Sequence, residues 1–268
     1  MEISEIETRP LAVITGASTG IGYELAKVFA EEGHDLLIVA EDVGIMNVSG
    51  NFSQYGGKVL PVQLDLASKD GAEEFYFKIL ETNRPIDTLV INAGVGSGGE
   101  FATTDLNKEI NLINLNILSA VVLTKKVLKD MLRQGYGKIL FTSSIAAETP
   151  GPYEAVYAAS KAFLQSFAMA LREEVKDKGI VVTALQPGAT DTNFFVRANM
   201  MDTEVGQSEK DDPAKVARQG YDALMEGLDH VVAGSLRNKL NVVGAKIMSE
   251  KQGAKMQARA TKPKSLEP

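Results

Sequence analysis

The chain has 268 residues, 44% hydrophobic and 24% charged, with a formal net charge of −7. That length supports one large domain, 1–268, or two small ones; the composition excludes wholesale disorder, and the acidic balance argues against a nucleic-acid-binding surface. There is no cysteine, and His34 and His230 are the only histidines, which excludes a disulfide framework and a structural zinc site and fits a cytoplasmic protein.

The stretch from Met1 to Pro10 is polar and acidic, so no signal peptide is expected, and no uninterrupted apolar run reaches the length of a membrane span. Leu11–Thr15 reads as a buried strand. Gly16-Ala-Ser-Thr-Gly20-Ile-Gly22 follows at once, then a helical pattern stopped by Gly33. Strand, glycine loop and helix form the context of a dinucleotide-binding turn. Gly16 permits the turn, Gly20 lets backbone approach a pyrophosphate, and Gly22 lets the helix pack closely while its first amides meet the phosphates. The competing reading is a tight turn with no ligand.

A second strand, 36–40, ends in Glu41-Asp42. An acid here accepts hydrogen bonds from the adenosine ribose and repels a 2′-phosphate. No Lys or Arg stands immediately beyond, so Glu41 favours NAD(H) over NADP(H). Residues 43–57 hold four glycines and two asparagines, which makes any helix there weak. The strand 59–64 contains Pro61, which suits its start or a sheet edge, and Asp65-Leu66 fall where an adenine would lie. A helix at 72–82 and a strand at 86–91 lead into Asn92-Ala93-Gly94. Asn92 is placed to brace neighbouring strand ends, with room for a cofactor at Ala93 and Gly94, although the same tripeptide suits a plain turn. The helical run 104–124 contains Asn107, Asn111, Asn114 and Asn116; one of these is expected to distort it or hold a water. Helical character continues over 127–133.

Strand 139–141 ends in Thr142-Ser143-Ser144, and Tyr157-Ala-Ala-Ser-Lys161 opens a long helix. Positions four apart share a helix face, so Tyr157 and Lys161 stand one turn apart. A phenol of pKa about 10 is a poor base at neutrality until a nearby ammonium favours the phenolate, and Ser144 supplies a hydroxyl to hold a substrate oxygen. For an isolated pair of this spacing, packing and surface roles would explain both residues.

The helix continues to Val175 with an apolar face that suits either the sheet or a partner subunit. Strand 180–185 precedes Gln186-Pro187-Gly188-Ala189-Thr190-Asp191-Thr192, a rigid turn in which Thr192 is suited equally to a cofactor contact or a turn role. The segment near 194–212 lacks a clean period over most of its length and reads as a substrate cover. Asp212-Pro213 starts a further helix, 230–234 reads as a strand, and the histidines read as packing or surface residues. The tail near 238–260 is helical with lysines at 239, 246, 251 and 255. It reads as a solvated terminal helix or, alternatively, one that contacts a membrane surface, with 259–268 expected to fray.

Together these motifs resemble the classical short-chain dehydrogenase/reductases from about residue 10 to about 195. Residues Thr15–Gly22 match that family's cofactor loop, Asn92-Ala93-Gly94 its central-strand motif, Asp65 its adenine contact, and Pro187-Gly188 through Thr192 its nicotinamide loop. Asn116, Ser144, Tyr157 and Lys161 fall at its catalytic positions. The resemblance implies a Rossmann-type α/β fold, a doubly wound, mostly parallel sheet between two helical layers, and hydride exchange between NAD(H) or NADP(H) and a small-molecule ketone, aldehyde or alcohol. It further implies that Tyr157 is the general acid or base and that Ser144 orients the substrate oxygen. Lys161 lowers the phenol's pKa and binds the nicotinamide ribose, and Asn116 holds a relay water. Ser18, Thr19, Ile21 and Thr190 sit within the matched cofactor loops. The C-terminal sequence departs from the family's usual tetramer-forming end, which leaves a dimer or a tetramer. Two other classes compete with this reading: a nucleotide-binding sensor without turnover, supported by 43–57 and the tail, and an S-adenosylmethionine-dependent methyltransferase, in which Tyr157 and Lys161 would have no task.

Overall fold

The computed structural model describes residues 9–266. The leader expectation for the first eight residues, and the last two residues of the expected frayed tail, lie outside them. In chain order the elements are β1 (Leu11–Thr15), α1 (Gly20–Glu31), β2 (Asp35–Ala40), α2 (Gly44–Ser53), β3 (Val59–Gln63) and α3 (Gly71–Glu81). Then come β4 (Thr88–Ile91), α4 (Leu106–Ile113), α5 (Ser119–Gln134), β5 (Gly137–Thr142), α6 (Ala155–Val175) and β6 (Ile180–Gln186). Two short helices, α7 (Phe194–Arg197) and α8 (Glu204–Gln207), precede α9 (Pro213–Met225), β7 (His230–Val232), α10 (Leu236–Ile247) and α11 (Glu250–Thr261).

The strands form one sheet in the order β3-β2-β1-β4-β5-β6-β7, and every pairing is parallel. Strands covered on both faces read as continuous apolar runs, and β1 shows why. Leu11 and Val13 pack with α3, α5 and α6, while Ala12 and Ile14 pack with α1, α2 and α9 on the other face. The order reverses between β1 and β4, so the loops leaving their carboxyl ends part and open a crevice. Pro61 sits in β3 opposite Ile38; β3 is an edge strand, where a missing amide costs least.

The structure refines three expectations. The glycine-rich 43–57 segment does form a helix, α2, because Ile45 and Phe52 are buried in the core and tertiary packing overrides weak propensity. The run Leu106–Gln134 is long and apolar enough by composition to span a bilayer, yet its Leu112, Leu123, Val127 and Met131 pack in this protein's own core. The tail is held as far as Leu266: Ser249 and Gln252 cap α11 reciprocally, Thr261 Oγ1 donates to Pro152 O at 2.7 Å, and Ser265 Oγ donates to Asp202 Oδ2 at 2.7 Å. The expected distortion among the asparagines is present, as a π-helical turn at Asn114–Leu118 joining α4 to α5.

Candidate active site

One cleft of about 770 Å³ opens at the carboxyl ends of the strands. Of the site residues expected from sequence, all except Asn116 line it.

The glycine loop forms its floor. Gly16 has φ +68° and Gly20 φ +60°, backbone that L side chains adopt at a cost. A Cβ on Gly22 would overlap Gly16 O and Asn92 Nδ2. Thr19 caps α1 in extended backbone with no side-chain hydrogen bond to the first turn, which leaves those amides for another acceptor. Asn92 is the expected brace: its Nδ2 donates to Thr15 O at 3.0 Å and Gly16 O at 3.2 Å, and its Oδ1 accepts from Thr142 Oγ1 at 3.2 Å. It thus ties β1, β4 and β5 together at their ends.

At the β2 end the structure adds a residue. Glu41 is exposed at the rim. Asp42, not singled out from sequence, is the acid tied to the glycine loop: its Oδ2 accepts from Ser18 Oγ at 2.6 Å and its Oδ1 from Gly44 N at 3.0 Å. Its signal was its place directly after Glu41.

Ser144, Tyr157 and Lys161 converge at the other end, all buried. Ser144 follows β5 and accepts from Ala146 N at 3.1 Å. Lys161 Nζ donates to Thr142 O at 2.9 Å and lies 5.8 Å from the centre of the Tyr157 ring. The Tyr157 ring packs on Phe194 of α7 at 5.0 Å between centres. Burial lowers the Lys161 pKa to about 8. The phenol is held well above its ordinary value, first by burial and then by the charge of Glu154, with the Ser144 hydrogen bond opposing. In this structure burial outweighs the lowering expected from Lys161, one of whose Nζ protons goes to Thr142 O.

Asn116 lies behind this group. Its Nδ2 donates to Val95 O and Ser160 Oγ, both at 3.0 Å, and its Oδ1 accepts from Val95 N at 2.9 Å. Ser160 Oγ in turn donates to Tyr157 O at 2.7 Å. Both amide protons are engaged, and the side chain braces the Gly94–Val95 loop against α6.

Glu154 was missed. It is buried, lines the cleft one turn before Tyr157, and its Oε1 accepts from Gln257 Nε2 of α11 at 2.9 Å. Burial pushes its carboxyl up to about 7, with the Gln257 hydrogen bond opposing. Its place directly before α6, three residues ahead of Tyr157, was a usable signal; nothing in the sequence pointed to Gln257.

Residues 10–203 match the family described as short chain dehydrogenase. The chain is 30% identical over 245 residues to the uncharacterized oxidoreductase YmfI of Bacillus subtilis, covering 90% of this chain and 97% of that protein. It is 33% identical over 198 residues to a Drosophila melanogaster dehydrogenase/reductase SDR family protein 7-like, covering 70% of this chain but only 59% of that longer relative. Among solved structures, a Sphingobium yanoikuyae short-chain dehydrogenase in complex with NADPH superposes with TM-score 0.78 at 28% identity, covering 83% of this chain and 87% of that one. A bulky-bulky ketone specific alcohol dehydrogenase from Comamonas testosteroni superposes with TM-score 0.75 at 26% identity, covering 89% and 92%.

Proposed function

We propose, for a chain that belongs to the short-chain dehydrogenase family, that it reduces a ketone or aldehyde to the alcohol with NADH, and that Tyr157 is the proton donor. As an oxidoreductase of that family it acts on CH–OH and C=O groups. The observation that carries the finer reading is the cluster of Ser144, Tyr157 and Lys161, buried together at the inner end of the cleft. Its phenol is proton-loaded at neutral pH, the state needed to give a proton to a carbonyl oxygen.

The cleft fits a nicotinamide dinucleotide. The strained glycines bring backbone to its floor, the first turn of α1 carries no side-chain cap, and the volume suits a large ligand. Gly16–Gly22 would hold the pyrophosphate, Asp42 and Glu41 the adenosine ribose, Asp65-Leu66 the adenine, and Pro187–Thr192 the nicotinamide. The bound dinucleotide supplies the hydride. The chain's own residues do the rest. Ser144 Oγ donates a hydrogen bond to the substrate oxygen and fixes it beside the phenol. Tyr157 Oη releases its proton to that oxygen as negative charge develops there. The Lys161 ammonium then stabilises the phenolate left behind.

NADH is favoured over NADPH, although the solved Sphingobium relative holds NADPH. The β2 end of the cleft presents Glu41, Asp42 and Asp65, and the Lys and Arg that line the cleft all come from Lys161 onward. A 2′-phosphate would meet carboxylates there. The substrate end is walled by α7, α10 and α11, including Phe194, Val242 and Met256, which supports an apolar carbonyl compound. The chain works as one unit, with 194–212 and the C-terminal helices as covers.

The test is turnover across a panel of ketones and secondary alcohols with each cofactor. Reduction by NADH, lost in Tyr157→Phe, is expected. A substrate turned over equally well by Tyr157→Phe would remove the role given to the phenol.

A further inference from the structure

Helix α10 is used on one side only. Asn238, Asn241, Val242 and Ala245 face the cleft. On the opposite side Leu236, Leu240, Val243 and Ile247 recur at spacings of four, three and four, which puts them on one narrow stripe along the helix. They are 77%, 71%, 58% and 82% exposed. Lys239 and Lys246, both exposed, run together along one edge of that stripe. From Leu236 to Leu266 eight Lys and Arg side chains stand against one acid, Glu250, a local charge of +7 on a chain of net −7.

We propose that α10 docks on an anionic lipid bilayer. The Leu236–Ile247 stripe enters the boundary between headgroups and acyl chains, and Lys239 and Lys246 reach the headgroups along the edge of the stripe. A second copy of this chain is the other candidate for an apolar stripe, and charge argues against it. A two-fold contact brings each patch against itself, so Lys239 and Lys246 of one copy would meet the same lysines of the other, whereas an anionic membrane attracts them. The rest of the acidic chain is repelled by that membrane, which orients the protein with α10 toward it. The docking does not depend on the catalytic reading. It places one face of a single helix in the bilayer and the other on the cleft.

The test is co-sedimentation of the full chain with vesicles of phosphatidylcholine, alone or with about 30% phosphatidylglycerol. The wild type is expected to pellet with the anionic vesicles only and to be released by about 1 M salt, where screening shortens to about 3 Å. The double variant Leu240→Glu/Ile247→Glu should lose about tenfold or more in partition. Lys239→Glu/Lys246→Glu, which leaves the stripe intact, should lose binding to the anionic vesicles as well. Far-UV circular dichroism and NADH binding should match wild type for both. A wild type that stays in the supernatant with both vesicles, or a stripe variant that pellets as the wild type does, overturns the proposal. So does a concentration-dependent dimer, seen by sedimentation velocity, that the stripe variant abolishes while anionic vesicles capture nothing; the stripe would then belong to a second copy.

Discussion

Replacing Glu154 by glutamine tests the electrostatics of the site most directly. The substitution keeps the shape and an oxygen to accept from Gln257, and removes only the ability to ionise. In the folded protein the carboxyl holds its proton to about pH 7, against 4.5 ordinarily. Between those two values the native state binds a proton that the unfolded chain has lost, so wild-type stability falls as pH rises through the interval and is level above it. The full interval corresponds to about 3 kcal/mol, and the part between about pH 5 and about pH 8 to roughly 2–3 kcal/mol. Glu154→Gln escapes this loss. Its stability relative to wild type should therefore rise by that amount across the range. Urea unfolding followed by far-UV circular dichroism is the suitable assay, since the chain has no tryptophan. The phenol gives a second readout. Ionised Glu154 pushes Tyr157 up, so the variant's phenolate forms more readily, and the rise of alcohol oxidation with pH should start lower. A stability difference that stays flat between about pH 5 and about pH 8 would show that Glu154 is not a buried proton-binding group.

Tyr157→Phe should lower turnover by about 10²–10⁴-fold, the usual worth of a positioned acid, with NADH affinity unchanged by titration; loss of binding instead would make the phenol a cofactor-positioning group. Asp42→Ser should narrow the preference for NADH over NADPH, read as a ratio of dissociation constants, because it removes the carboxylate anchored by Ser18; an unchanged ratio would return the selectivity to Glu41 or elsewhere. Gly22→Ala forces a methyl into Gly16 O and Asn92 Nδ2. It should weaken NADH binding and lower the thermal midpoint, whereas wild-type affinity would refute the cradle assigned to this loop.

The strand, glycine loop and helix at one end of the cleft were legible because their constraints are local. A buried strand must be apolar on both faces, as in Leu11–Thr15, and a tight turn under a helix N-terminus must be glycine, as at Gly16 and Gly22. Tyr157 and Lys161 were legible for the same reason, since four residues on one helix fix their relation. What escaped depended on partners far along the chain. The bracing bonds of Asn116 were not legible because its sequence neighbours say nothing of Val95 and Ser160, which take its amide protons. Helix α2 was underrated because propensity counts its glycines, while its stability comes from the burial of Ile45 and Phe52.

The substrate end shows the limit most clearly. Helix α11 reaches the core of the site by few, polar contacts: Gln257 to Glu154 and Thr261 to Pro152. Such contacts leave no hydrophobic period, so a mostly polar, lysine-bearing helix reads as solvated although it is fastened 103 residues back along the chain. The same fastening has a chemical consequence. Glu154 lies between Gln257 and Tyr157, so whatever moves α11 alters how well that carboxyl is shielded from water, and hence how strongly it holds the phenol's proton. The wall proposed to meet the substrate and the carboxyl beside the proposed acid are thereby one assembly. Substitutions in α11 should change the pH dependence of turnover as well as the choice of substrate.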